Sequence, residues 1–195
     1  MAGYRSAEMA SERGVSAGLR GKKIMTDIIE KLRGGDRRSI GRANEVVRDI
    51  EQDPTQFEAV FAGLSSPDPV VRMRAADVIE KVTQTRPELL NGYTAPLITL
   101  LTTVKQQELC WHLAQLAPRL VYSPAREAEI IAALKRYLTH QSKIVQVSTL
   151  TALTELALRN RSLRAEVIGL VNKQMENGSP AVQARSRKLL KRLSE

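Results

Sequence analysis

Cys110-Trp111-His112 is where a nucleophile and a base stand nearest one another in the chain, and the chemistry on offer there is thiolate attack assisted by an imidazole. Helical geometry forbids it. Side chains two positions apart on a helix diverge by about 200°, so Cys110 and His112 cannot pass a proton between them. The remaining histidine, His140, falls in a turn ahead of another helix. A semi-buried thiol and two hydrogen-bonded imidazoles are the expectation. Other chemistries lack their residues: there is no HExxH or CxxC spacing for zinc, Gly34-Gly35 lacks the partners of a phosphate-cradling loop, and Glu127 and Glu129 read as solvated carboxylates. The sequence therefore predicts no catalytic residue, no metal and no cofactor.

A second kind of chemistry is polyvalent cation contact. The chain carries 30 Lys+Arg against 21 Asp+Glu, unevenly spread: residues 118–195 hold 14 basic and 6 acidic side chains. Within Arg185–Arg192, Arg185, Lys188 and Arg192 follow one side of a helix, and Arg187 and Lys191 form an adjacent row. Such a strip can contact phosphates, with steep salt dependence. It can equally be the solvated polar face of a terminal helix. No aromatic residue interleaves the cations as single-strand binders require, so the solvated reading is preferred and nucleic acid stays as the alternative.

Positioning these residues falls to helices. With 195 residues, 43% hydrophobic and 26% charged, the chain can bury a core without disulfides or metal. Apolar residues recur at three- and four-residue steps from Ile24 to Leu193, and alternation of period two is nearly absent. Breakers at Gly34-Gly35-Asp36, Asp53-Pro54, Ser65–Pro69, Thr85–Pro87, Ser123-Pro124 and Asn177–Pro180 cut the chain into helix-sized pieces. From Val71, apolar or small residues fall at offsets 0, +4, +7, +8 and +11, and the template recurs from Leu109, Val145 and Val182, at spacings of 38, 36 and 37 residues. Phe57–Leu64, Tyr93–Leu101, Glu127–Leu138 and Leu163–Met175 supply a preceding helix for each. The expected organisation is a loose extension over 1–20 and a single domain over 21–195. That domain has a cap at 21–52, with helices at Ile24–Leu32 and Ile40–Ile50, and repeats near 53–84, 85–121, 122–158 and 159–195. One cysteine, no signal peptide and no long apolar run predict a cytoplasmic protein without a membrane segment.

The repeat length, the helix pair and especially Asp68-Pro69-Val70-Val71-Arg72-Met73-Arg74-Ala75-Ala76 resemble HEAT-like, armadillo-type repeats. The resemblance implies an all-α fold: a right-handed α-α superhelix of about four helical hairpins plus the N-terminal cap. Only the first unit keeps the family's Asp and Arg, as Asp68 and Arg72; later units carry Gln106 with Cys110, Ser142 with Gln146, and Ser179 with Gln183. In such stacks the second helices line a concave surface. Offsets +2, +6 and +9 point away from the core: Met73, Trp111, Val147 and Ala184; then Asp77, Gln115, Thr151 and Lys188; then Glu80, Pro118, Thr154 and Lys191. The expected function is a non-enzymatic adaptor that binds another protein, through a helix or an extended acidic-apolar segment. Trp111, Met73, Val147 and Gln115 would make the contact, and Lys188 and Lys191 would steer it. The same resemblance admits two alternatives, a nucleic-acid binder akin to DNA alkylation-repair glycosylases and a lyase-like chaperone of a tetrapyrrole protein.

Overall fold

A computed structural model describes residues 26–36 and 38–195. The extension expected over 1–20, and the start of the helix expected from Ile24, lie outside the described residues. Among those described, every regular element is helical. In order they are α1 (26–32), α2 (Ala43–Gln52), α3 (Phe57–Gly63), α4 (Pro69–Thr85), α5 (Thr94–Thr103), α6 (Gln107–Leu116), α7 (Pro124–Tyr137), α8 (Lys143–Arg159), α9 (Arg164–Asn177) and α10 (Pro180–Ser194). Single 3₁₀ turns at Pro54–Gln56, Pro87–Leu90, Ala117–Arg119 and Arg161–Leu163 join several of them. The helix starts follow local chemistry. Asp53 accepts from the Thr55 amide at 3.1 Å and Asp68 from the Val70 amide at 2.8 Å, each ahead of a proline whose missing N–H costs nothing there. Ser123 precedes Pro124 but makes no side-chain cap.

The chain forms two compact units, one ending at Val82 and one running from Thr83 to Glu195. In the first, Gly63 lets α3 approach α4 closely, since a Cβ there would lie 3.0 Å from that of Ala75. Lys31 of α1 pairs with Asp49 of α2 at 2.5 Å. The guanidinium of Arg74, 1% exposed, closes the α1–α2 connection by donating to the carbonyls of Leu32, Arg33, Gly34, Asp36 and Ser39.

The second unit is three antiparallel hairpins, α5/α6, α7/α8 and α9/α10. α8 packs between α6 and α10, and α5 packs on α7. The template positions are buried in every second helix, with Leu190 alone left half-exposed. Offset +1 has a shared task despite its changing chemistry. Arg72 donates to the carbonyls of Ser66 and Pro67, Cys110 Sγ lies 3.8 Å from the carbonyl of Val104, Gln146 donates to His140 O and Gln183 to Glu176 O. Each thus reaches a carbonyl five to seven residues upstream, in the turn or at the end of the preceding helix, whether the donor is guanidinium, thiol or amide.

Offset +9 differs from the expectation. Glu80, Pro118 and Thr154 are buried; only Lys191 is exposed. Offset +5, not singled out from sequence, is buried too at Ala76, Ala114 and Leu150, whereas Arg187 is exposed. In the second unit the reason is stacking. α8, packed between α6 and α10, buries a wider arc than the one-faced amphipathic pattern implies, so neutral Leu150 and Thr154 occupy its +5 and +9.

Two hydroxyls carry a stability consequence. Thr154 and Ser186 are fully buried, and neither Oγ has a hydrogen-bond partner. A buried unsatisfied hydroxyl costs about 1–3 kcal/mol. Thr154→Val and Ser186→Ala are expected to leave stability unchanged or raise it by about 1 kcal/mol; a loss above that in urea titration would show that each hydroxyl is satisfied in solution.

Candidate functional site

The residues expected to form a docking stripe separate into two groups. Met73 is 6% exposed and belongs to the core of its unit, which removes it from any docking surface. Its flexible thioether fills space at that position rather than meeting a partner. Trp111 and Val147 are half-buried, and Gln115, Ala184 and Lys188 are exposed. Trp111 rests against His112, ring centroids 5.0 Å apart and planes at 52°, and is neither sealed in the core nor fully exposed.

Hydrogen bonds tie this surface together across helices. Arg185 Nε donates to Thr151 Oγ1 at 3.0 Å, and Thr151 Oγ1 donates to Val147 O at 2.8 Å. The offset +6 residue of α8 thus lies beside α10, one turn from Val147. Arg192 pairs with Glu155 at 2.7 Å. The five-cation strip expected on α10 is divided by these bonds: Arg185 and Arg192 are engaged with α8, and Arg187, Lys188 and Lys191 remain exposed with no ion pair among the described residues. Lys191 is exposed and lies about 60° from Lys188 around α10, one turn further along.

The remaining candidates stay apart. Glu127 accepts from Asn160 Nδ2 at 2.7 Å, and Glu129 pairs with Arg126 at 2.8 Å. His140 uses Nδ1 to accept the Ser142 amide at 3.0 Å, a turn-closing role. Cys110 faces Val104 and Tyr137, with His112 on another side of α6. Among the described residues no three His, Cys, Asp or Glu side chains gather closely enough to share a metal ion, and no helix is long and apolar enough to cross a membrane.

Burial pushes the Cys110 thiol above its ordinary 9.0, and burial followed by the neighbouring Cys110 pushes the Tyr137 phenol well above its ordinary 10.0. The Tyr137 hydroxyl donates to Leu101 O at 2.9 Å. The folded chain keeps both protons at pH values where the unfolded chain sheds them. Their stabilising contribution is therefore complete below about pH 9 and is lost as pH rises further. The melting temperature is expected to fall between about pH 9 and 11. Tyr137→Phe should lower it at neutral pH, by losing the Leu101 bond, and flatten its decline above about pH 10. An unchanged slope in that variant would assign the alkaline loss to other groups.

No protein-family model and no curated protein matches the sequence. Solved structures do resemble it. One crystal structure of an engineered protein from the Northeast Structural Genomics Consortium aligns with a TM-score of 0.59 at 17% identity, covering 92% of this chain and 83% of that one. A second engineered protein from the same consortium aligns with a TM-score of 0.59 at 19% identity, covering 93% of this chain and 50% of the other. At these identities the likeness concerns the fold alone: the chain shares an all-helical fold with engineered proteins.

Proposed function

We propose that the second unit is a HEAT-like stack acting as a non-enzymatic docking module for an acidic-apolar segment of another protein. The segment would lie across α6, α8 and α10, with Trp111 and Val147 meeting its apolar side chains and Lys188 and Arg185 its carboxylates. The Arg185–Thr151 bond carries this reading. It sets Thr151, one turn from the half-buried Val147, against Arg185 of α10, which supports bringing an apolar group and cations to one partner. Charge favours the choice of partner, because residues 118–195 hold 14 basic against 6 acidic side chains. A half-buried indole is also the type of anchor that dominates interface energetics.

A displayed library of random peptides, panned on the wild-type chain and counter-panned on Trp111→Ala, tests this. Acidic-apolar sequences should be enriched, and Trp111→Ala should weaken them by more than about 2 kcal/mol while lowering the melting temperature less than Leu113→Ala does, Leu113 being 2% exposed. Binders indifferent to Trp111→Ala, or unfolding by that substitution as severe as by Leu113→Ala, would overturn the reading.

A further inference from the structure

The last hairpin leaves open a face that the hairpins before it cover. On α10, Arg185 and Arg192 reach back to α8, and Arg187 and Leu190 lie about 200° from them around the helix, with Lys191 alongside. On α9, Glu166 turns back to Lys135 of α7, and Arg164, Ile168 and Met175 lie about 160–200° away. These six residues therefore share the outer side of the α9/α10 hairpin. The equivalent apolar positions one hairpin earlier are Ile131 at 6%, Leu138 at 5% and Leu153 at 0% exposure. Ile168, Met175 and Leu190 are all half-exposed instead.

The chemistry of the rim identifies what fits. Where Leu150 and Thr154 are sealed on α8, α10 presents Arg187 and Lys191, both exposed and without an ion pair among the described residues. On α9, Arg164 Nε is shut off from solvent and has no acceptor. An apolar centre rimmed by cations disfavours a second copy of the same face, which would set like charge against like charge. A nucleic-acid backbone would leave the apolar centre without a counterpart.

We propose that this end face docks an amphipathic helix of a partner protein, whose apolar stripe covers Ile168, Met175 and Leu190 and whose Glu and Asp side chains meet Arg164, Arg187 and Lys191. The partner helix continues the stack as α9/α10 continues α7/α8. The surface is distinct from the one bearing Trp111, and the two can fail separately.

The probe is a synthetic amphipathic helical peptide of about 15 residues, matching α10 in length, with leucines at helical spacing and glutamates on both flanks. A lysine-flanked peptide and a short DNA duplex serve as comparisons. Binding is followed by fluorescence anisotropy and by the methyl NMR signals of Ile168, Met175 and Leu190. The glutamate peptide should bind and shift those three methyls. The combined substitution Arg187→Glu with Lys191→Glu, at exposed positions, should weaken it about tenfold or more. Trp111→Ala should leave its affinity unchanged, and the lysine peptide should not bind. Absence of glutamate-peptide binding, equal affinity for the lysine peptide or the duplex, or sensitivity to Trp111→Ala without sensitivity to charge reversal would each overturn the proposal. So would movement of the same methyls on concentrating the protein alone, which would assign the face to self-association.

Discussion

Replacing Arg74 by methionine is expected to destabilise the first unit by about 3–5 kcal/mol, the largest effect of any single side chain there. The guanidinium is 1% exposed and spends its donors on backbone. Nη1 reaches the carbonyls of Leu32 and Arg33 at 3.0 Å and of Gly34 at 2.6 Å, Nε that of Ser39 at 3.1 Å, and Nη2 that of Asp36 at 3.3 Å. No neighbouring carboxylate is needed, because converging carbonyl dipoles stabilise the cation and the cation satisfies the end of α1 and the loop after it. Methionine fills similar volume but leaves those oxygens buried and unpaired. Lysine restores charge without the planar fork and should recover only part of the loss. Gly41 supplies an independent check. Its φ is +52°, and a Cβ there would sit 2.6 Å from Arg74 Cζ, so Gly41→Ala should destabilise through the same contact. Urea titration measures both, and hydrogen exchange should show the amides of 38–43 losing protection first. A cost for Arg74→Met no larger than that for Arg72→Met, whose guanidinium bonds the turn carbonyls of Ser66 and Pro67, would show the loop to be held by something else.

This arginine marks where sequence reading stops. Pattern sufficed for the helices: the Val71, Leu109, Val145 and Val182 anchors are each 0% or 1% exposed, and the expected first helices begin within a few residues of those observed. Apolar periodicity is a local signal, and each second helix repeats it in full. Arg74 gives no such signal, since its partners lie 35 to 42 residues upstream and are backbone carbonyls, which any residue type supplies. Cys110, Gln146 and Gln183 concealed their equivalence with Arg72 for a related reason. Closing a turn requires a donor of suitable reach rather than a particular residue, so departure from an Asp and Arg pattern did not mean departure from its role. Met73 is apolar at offset +2 because it is core, 6% exposed, and its burial is set by neighbours that a one-helix wheel does not contain.

The same distinction between local pattern and neighbour-dependent burial yields the second large effect. Leu153 and Leu190 occupy the same offset, +8, in α8 and α10, and no scale of hydrophobicity separates them. Leu153 is 0% exposed with α8 packed between α6 and α10, and Leu190 is half-exposed. Truncating Leu153 to alanine removes buried methyl groups and leaves a cavity that helices on both sides would have to collapse to fill, a cost of about 2–5 kcal/mol. Truncating Leu190 removes atoms already partly in water, where solvent can enter the space, at about 1 kcal/mol or less. Leu109→Ala, at 1% exposure in α6, should fall with Leu153→Ala. Equilibrium unfolding of the three variants decides the matter. Equal costs for Leu153 and Leu190 would mean that the outer side of α9/α10 is already covered in solution, whereas unequal costs leave Leu190 with apolar surface still to bury.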